Sequence, residues 1–463
     1  MAATAVLDIG KTNLKVVVFD AAGAILWEKN APNQPLPAQP YLHADVEGIW
    51  RFVIAALREA ARLHAIDAIV PTTHGASGTV IGDSGLVLPV LDYEDKGPEE
   101  IEADYAAIRP DYAVSLTGPL AGGLNLGRQW AYQHWRFPED FARARHLLTY
   151  PQYWSWRLSG VAASEVTSLG CHSELWAPQA AHASSLVDAL GISLLLPPVL
   201  PAWETLSCIS GEVAAATGLP PETRVINGIH DSNASLLPNL LARPAPFTVV
   251  STGTWVIIMA IGLAFETLDQ ASDLYANVDV NSQPVPCARF MGGREYAAIA
   301  GGQTGSPDAA QIAGVIASGA MALPSFTGNG GPYAGRRGEI RGVAPDALLP
   351  ALATLHIALM TDDLLTRLGT NVGDLVIEGS FGKNPAYCEL LAALRPSQRV
   401  LVSPDQSGTA RGAALLAHWP TPPVLAPDRL AAPMAVAGLE AYREAWHLAL
   451  AAPMGAGPFD KGA

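Results

Sequence analysis

The chain has 463 residues, with 28 Lys plus Arg against 43 Asp plus Glu, a formal net charge of −15. Apolar residues make up 49% of it, which fills a core and excludes wholesale disorder. The acidic balance speaks against a nucleic-acid groove or an anionic membrane surface, and the length allows two or three domains.

The first twenty residues are patterned as a hairpin. Ala5-Val-Leu is an apolar run, Asp8-Ile-Gly-Lys-Thr-Asn is a polar turn, and Lys15-Val-Val-Val-Phe is a second apolar run. Ala24-Ile-Leu-Trp-Glu follows as a third strand after the turn at Ala22-Gly23. The spacing of Ile49, Val53, Ala56, Leu57 and Leu63 predicts a helix over 47–64. Ala68-Ile-Val-Pro is a short strand that runs into Thr72-Thr-His-Gly-Ala-Ser-Gly, and Pro98 to Ile108 opens as a helix should, with Pro and acids. Arg224-Val-Ile-Asn-Gly-Ile is a strand ahead of His230-Asp-Ser-Asn-Ala-Ser.

The opening plan then returns. In Phe247 to Ala260 an apolar run meets Ser251-Thr-Gly-Thr and a second apolar run follows, so that Asp8-x-Gly10 lies over Ser251-x-Gly253, about half a chain away. A repeated hairpin at the head of each half suggests two domains of one design, over 1–243 and 244–463. The second half continues with a helix over 348–368 stopped by Gly369, a strand at Asp374 to Glu378, and a turn Gly379-Ser-Phe-Gly-Lys-Asn. A helix from Pro385 to Leu394, a strand at 399–402 and a Gly/Ala-rich helix from Gly408 complete an α/β pattern with a largely parallel sheet.

The four cysteines, Cys171, Cys208, Cys287 and Cys388, are too scattered for a zinc knot or disulfide framework. The N-terminus reads as a strand rather than a signal peptide, and no run of about 18 uncharged apolar residues occurs. The expectation is a cytoplasmic protein.

Several stretches can carry chemistry. The turn at Asp8 to Lys15 presents backbone N–H groups to one point, with Gly10 permitting close approach, Thr12 and Asn13 adding polar tips, and Lys11 and Lys15 adding charge. Two of only six lysines fall there. Such a turn is a phosphate cradle, with Asp8 as a holder of Mg²⁺, or an ordinary hairpin tip. It is not a P-loop, because GxxxxGK[ST] is absent. His230-Asp231, ending a strand before a helix, is a general base at a sheet edge or a helix N-cap. His74 binds a polar ligand or is a satisfied loop histidine. The glycines from Gly379 allow close approach of a flat base.

In order along the chain, these motifs resemble the FGGY carbohydrate kinases, part of the actin-like ATPase-fold group. Asp8-Ile-Gly-Lys-Thr-Asn-Leu-Lys is similar to the family's first phosphate loop, D-x-G-T-[TS]-x-x-[KR]. Arg224 to Ala234 resembles the segment that holds the catalytic Asp, which falls on Asp231. Ser251-Thr-Gly-Thr-Trp resembles the second phosphate loop, Val376 to Asn384 the GG-x-x-x-N adenosine motif, and Gly408 to Ala417 the G-A-L-G-A-A-x-x-A helix. Three positions depart from the pattern: Lys11 for Thr, Trp255 for Ser, and Glu378 for the first Gly of the adenosine motif.

The resemblance implies two actin-like (ribonuclease H-like) ATPase domains with an interdomain cleft. Residues 1–243 would bind the sugar and carry catalysis, and 244–463 would bind the nucleotide. It implies ATP and Mg²⁺, with Asp231 taking the proton of the attacking hydroxyl and Asp8 with Asp231 holding the metal. Gly10, Lys11, Thr12, Asn13, Lys15, Thr252, Gly253, Thr254, Gly379 and Asn384 would contact ATP; His74, Gly75, Asp92 and His230 would contact the sugar. Thr73-His74-Gly75 is similar to the M-H-G of xylulose kinases, while His230-Asp231 and Met291-Gly-Gly-Arg-Glu are similar to L-rhamnulose and L-fuculose kinases. The expected acceptor is a ketose, 6-deoxy-ketohexoses slightly ahead, with xylulose or another pentulose or polyol as the alternative. A non-catalytic actin-like sugar or nucleotide sensor and an ATP hydrolase of the same superfold are the competing classes. Neither nucleic acid nor a membrane is an expected partner, and many relatives of this kind are homodimers.

Overall fold

In the computed structural model, residues 3–265, 268–328, 330–404, 408–421 and 426–451 are described. The β-branched runs and glycine turns become strands where the sequence places them. The first sheet holds β1 (Ala3–Ile9), β2 (Asn13–Phe19), β3 (Ile25–Pro32), β4 (Ile66–Thr73), β5 (Thr205–Cys208), β6 (Arg224–Ile226) and β7 (Ile229–His230). The second holds β8 (Phe247–Thr252), β9 (Val256–Ile261), β10 (Pro284–Phe290), β11 (Asp374–Gly379), β12 (Val400–Val402) and β13 (Arg429–Leu430).

Six strands of each sheet repeat one another in order. The first runs β5-β6-β4-β1-β2-β3 and the second β13-β12-β11-β8-β9-β10. Within each, the hairpin is antiparallel, its first strand lies parallel to the next central strand, and the outermost pairs are antiparallel. An identical order with identical directions supports the duplicated plan far better than two look-alike hairpins do.

The helices that matter for the site are α1 (Val46–Ala61), α2 (Tyr150–Ser159), α3 (Val166–Leu169), α4 (Asp231–Ala242), α5 (Gly292–Ala300), α6 (Leu349–Arg367), α7 (Pro385–Leu394) and α8 (Gly408–Leu415). The Asp45 side chain caps α1 by accepting from the Gly48 N–H, and the helix buries Ile49, Val53, Ala56, Leu57 and Ala60. The helix expected from Pro98 is shorter, a 3-10 turn over Gly97–Ile101 followed by Glu102–Ala106. The strand expected over 224–229 is broken between β6 and β7 at Gly228, whose φ is +90° and whose missing Cβ would meet the Pro71 carbonyl at 2.5 Å. The helix Asp346–Arg367 is long and apolar enough to cross a membrane, but 83% of its most apolar window is buried in the protein.

Contacts divide the chain into two units. One comprises Met1–Pro244, Tyr275–Val285 and Ser407–Ala426; the other comprises Ala245–Leu274, Pro286–Gln406 and Pro427–Ala463. A single cut between 243 and 244 was the expectation from sequence, whereas the contacts return two later segments to the first unit. The reason is packing. A Cβ on Gly412 of α8 would stand 1.8 Å from the Ala234 carbonyl of α4, so the Gly/Ala-rich helix lies backbone to backbone on the helix that begins with Asp231.

Candidate active site

The first hairpin fixes two charges opposite one another. In the β1–β2 register Asp8 pairs with Lys15 and Ile9 with Leu14, and the turn closes by the Gly10 N–H donating to the Asn13 carbonyl at 3.0 Å. The end of β3 braces the turn. The Asn33 side-chain amide donates to the Gly10 carbonyl at 2.7 Å, and the Asn33 N–H donates to the Thr12 carbonyl at 2.9 Å. Thr12, Asn13 and Lys15 are exposed.

Parallel pairing brings the other motifs to the same sheet edge. β4 lies between β1 and β7, with Thr72 opposite both Asp8 and Ile229, and Thr73 opposite both Ile9 and His230. His74 and Asp231, the residues that follow β4 and β7, thus leave the sheet side by side. The cap of α4 is His230, and Asp231 is the first helical residue, with Oδ1 accepting from the Ser232 N–H at 2.6 Å. His230 Nε2 lies 3.1 Å from Asp231 Oδ1. His230 is buried and His74 half-buried, and desolvation lowers both imidazole pKa values, which favours the neutral rings. His74 Nδ1–H donates to the Gly75 carbonyl at 2.9 Å, which leaves Nε2 as an acceptor.

Gly75 explains why the two histidine motifs belong together. A Cβ there would stand 2.7 Å from His230 Nε2. The Thr-His-Gly and His-Asp signatures are therefore one packed feature.

Asp8 is the most perturbed acid of this edge. Burial, and then the like charge of Asp231, push its pKa up to about 6, against the opposing pull of Lys15. Two carboxylates so placed are a donor set for a hard divalent cation that keeps several waters and substrate phosphates among its ligands. Among the described residues no group of three or more His, Cys, Asp or Glu forms a complete protein cage. The two carboxylates fit a Mg²⁺ that takes its remaining ligands from water and phosphate oxygens.

Lys11 takes a direction that the sequence does not reveal. Its ammonium bonds the Asp92 carboxylate, lies 3.4 Å from Glu94, and sits 4.5 Å above the Tyr93 ring. Asn33, His74, Ser77 and Tyr150 join Lys11 and Asp92 around a pocket of about 20 Å³. A second support lies behind His230. The Thr167 hydroxyl donates to buried Glu165 at 2.6 Å and accepts from the His230 N–H at 3.2 Å. Asn33, Tyr93, Glu94 and Thr167 were missed from sequence, because each joins the site by a long-range contact with no local motif.

In the other unit, the second hairpin closes as the first does, with the Gly253 N–H donating to the Trp255 carbonyl at 2.8 Å. Its neighbours hold it tightly. The Thr252 hydroxyl donates to the Glu378 carbonyl and accepts from the Phe381 N–H at 2.9 Å. Gly379 has φ +83°, and a Cβ there would stand 2.0 Å from the Thr252 carbonyl. The Met291-Gly-Gly-Arg-Glu stretch serves this loop as well: a Cβ on Gly293, at the head of α5, would stand 2.5 Å from the Gly253 carbonyl. Asn384 caps α7 by accepting from the Tyr387 N–H, and its amide donates to Thr354 at 3.1 Å. Thr254 alone of the loop's threonines is exposed. Glu174 and Trp176 are buried, and Glu174 accepts from the Tyr105 hydroxyl at 2.6 Å and from Arg109 at 2.8 Å.

Residues 3–238 match the N-terminal domain of the FGGY family of carbohydrate kinases, and residues 244–424 match carbohydrate kinase FGGY, C-terminal domain. The chain belongs to the FGGY family of carbohydrate kinases. A solved carbohydrate kinase from Novosphingobium aromaticivorans is 33% identical, with a TM-score of 0.89 over 97% of this chain and 98% of that one. A ligand-bound xylulose kinase from Lactobacillus acidophilus shares the fold, with a TM-score of 0.82 at 16% identity over 98% and 99% of the two chains. L-fuculokinase of Escherichia coli K12 is 25% identical over 275 residues, 57% of each chain, so this match spans little more than half the length of that curated relative. As an FGGY protein the chain has the actin-like ATPase fold.

Proposed function

We propose that this FGGY protein is an ATP-dependent sugar kinase that transfers the γ-phosphoryl group to a hydroxyl of a ketose, with 6-deoxy-ketohexoses of the L-fuculose and L-rhamnulose type ahead of pentuloses. The observation that carries the reading is the position of Asp231, at the head of α4 beside neutral His230, on the same sheet edge as the Asp8–Lys15 pair.

Phosphoryl transfer asks for positioning and charge stabilisation more than for covalent chemistry. Asp231 accepts the proton of the attacking hydroxyl. The Ser232 N–H bonds its Oδ1, with His230 Nε2 3.1 Å from the same oxygen, which leaves Oδ2 for the substrate. The backbone of 10–13 and the Lys15 ammonium meet the transferring phosphoryl group. On the nucleotide side the backbone of 252–254, with Gly379 and Asn384 shaping the turn behind it, cradles the phosphate chain. Asp8 and Asp231 would hold Mg²⁺, which supplies charge neutralisation on the phosphates. The N-terminal domain is thus the acceptor and catalytic half, and the C-terminal domain the nucleotide half.

A coupled ADP-release assay across ketoses and polyols checks this. The reading expects ADP only in the presence of an acceptor, with L-fuculose or L-rhamnulose among the best. ADP without any sugar would make the protein a hydrolase, and no ADP under any condition would make it a sensor.

A further inference from the structure

We infer that Lys11 is an acceptor-binding and specificity-determining residue rather than a phosphate ligand, and that with Asp92 it selects neutral polyhydroxylated acceptors over sugar acids. The inference rests on the kinase reading for the identity of the site and deepens it.

Three observations carry it. First, the Lys11 side chain turns away from the exposed tip of the first loop, where Thr12, Asn13 and Lys15 stand, and bonds Asp92. Second, three partners hold it there: Asp92, which is itself buried, Glu94 at 3.4 Å, and the Tyr93 ring at 4.5 Å. Third, the pair lines the same small pocket as His74, Asn33 and Ser77, and its volume of about 20 Å³ admits one water-sized polar group, not a whole sugar.

An ammonium beside a carboxylate is a donor next to an acceptor, the complement of a pair of neighbouring hydroxyls. One hydroxyl of the acceptor enters the pocket, donating to Asp92 and accepting from Lys11, while the rest of the chain runs along the edge toward Asp231. The charge around the pocket decides what else is admitted. The carboxylates of Asp92, Glu94 and Asp231 outnumber the single ammonium of Lys11. An acceptor carrying its own carboxylate meets an excess of like charge, and its solvation is lost without compensation.

The test reads equilibrium binding without ATP, so it stands whether or not turnover is seen. Wild-type protein is titrated with a ketose panel and with the aldonic acids of the same carbon counts. The expected result is that one ketose binds at least 100-fold more tightly than any acid. Equal or tighter binding of an acid overturns the inference, and so does the absence of binding by every ketose. Lys11→Met is then expected to weaken the ketose at least tenfold while changing ATP affinity less than threefold, and Lys11→Arg to restore most of the loss. Weakened ATP with unchanged ketose would return Lys11 to the phosphate loop and overturn the inference. Should Lys11→Met fail to fold, Lys11→Arg and the wild-type acid series still decide it. Failure of the kinase reading shows separately, as ketose binding without ADP release.

Discussion

The two hairpins share a plan and differ in what they carry. Both turn at a glycine whose N–H bonds the carbonyl at the turn's far end, and both lie next to a parallel strand. The first brings Asp8, Lys11 and Lys15 to its edge; the second offers Ser251, Thr252 and Thr254 and no charge. The first is open at its tip, whereas the second is fastened behind by Gly379, Phe381 and Gly293. On the proposed reading one duplicated element divides the labour: the charged copy would serve the chemistry, and the neutral copy would hold a phosphate chain through its backbone.

Of the changes that separate the two hairpins, the largest expected break comes from Asp8. On this account Asp8→Asn lowers kcat by about 10²–10³-fold, as loss of one preorganised electrostatic group does. The same change should stabilise the protein. A carboxyl whose pKa is raised to about 6 in the fold, from about 4 in the unfolded chain, contributes stability that is complete at low pH and is lost as pH rises through 6. Denaturant titrations of the wild type from pH 4 to 7 should therefore lose about 1–2 kcal/mol that Asp8→Asn does not lose. A variant less stable than the wild type at pH 7 would contradict the picture of a like-charged site awaiting a cation.

Next comes the fastening of the neutral copy. Gly379→Ala places a Cβ 2.0 Å from the Thr252 carbonyl at φ +83°, so a loss of about 2–4 kcal/mol is expected. At Gly10 the nearest atom to a Cβ is the Asn13 carbonyl at 3.1 Å, and φ is not in the left-handed region, so Gly10→Ala should cost about 1 kcal/mol or less. Similar losses at the two positions would remove the contrast between open and fastened turns. The smallest effect is expected from Trp255→Ser. The indole lies 5.6 Å from the Arg289 guanidinium and packs against Gly330, contacts worth about 0.5–1 kcal/mol. Thermal unfolding would sharpen the comparison by showing whether the departure at Trp255 contributes to stability or to nucleotide binding.

Local chemistry made much of this readable in advance. β-branched runs ending at Gly10 and Gly253 are visible to the eye, and so are the Pro and Gly that bound α6 and α7. The sheet edge that gathers Asp8, His74 and Asp231 follows from strand ends alone. What escaped depends on pairings hundreds of residues apart. The direction of Lys11 is set by Asp92 and Tyr93, on a different loop, and nothing at positions 8–15 encodes it. Gly412 reads locally as a packing residue, but only its contact with Ala234 assigns α8 to the first unit. Gly293 resembles part of a sugar signature, yet its missing Cβ makes room for the Gly253 carbonyl.

The division of labour is tested most directly by Asp231→Asn, measured for turnover and for ATP binding in the same preparation. The account predicts that turnover with the preferred ketose falls about 10²–10⁴-fold, as loss of a general base does, while ATP affinity changes less than threefold. Turnover within tenfold of the wild type, or a loss of ATP affinity in step with the loss of turnover, would contradict it.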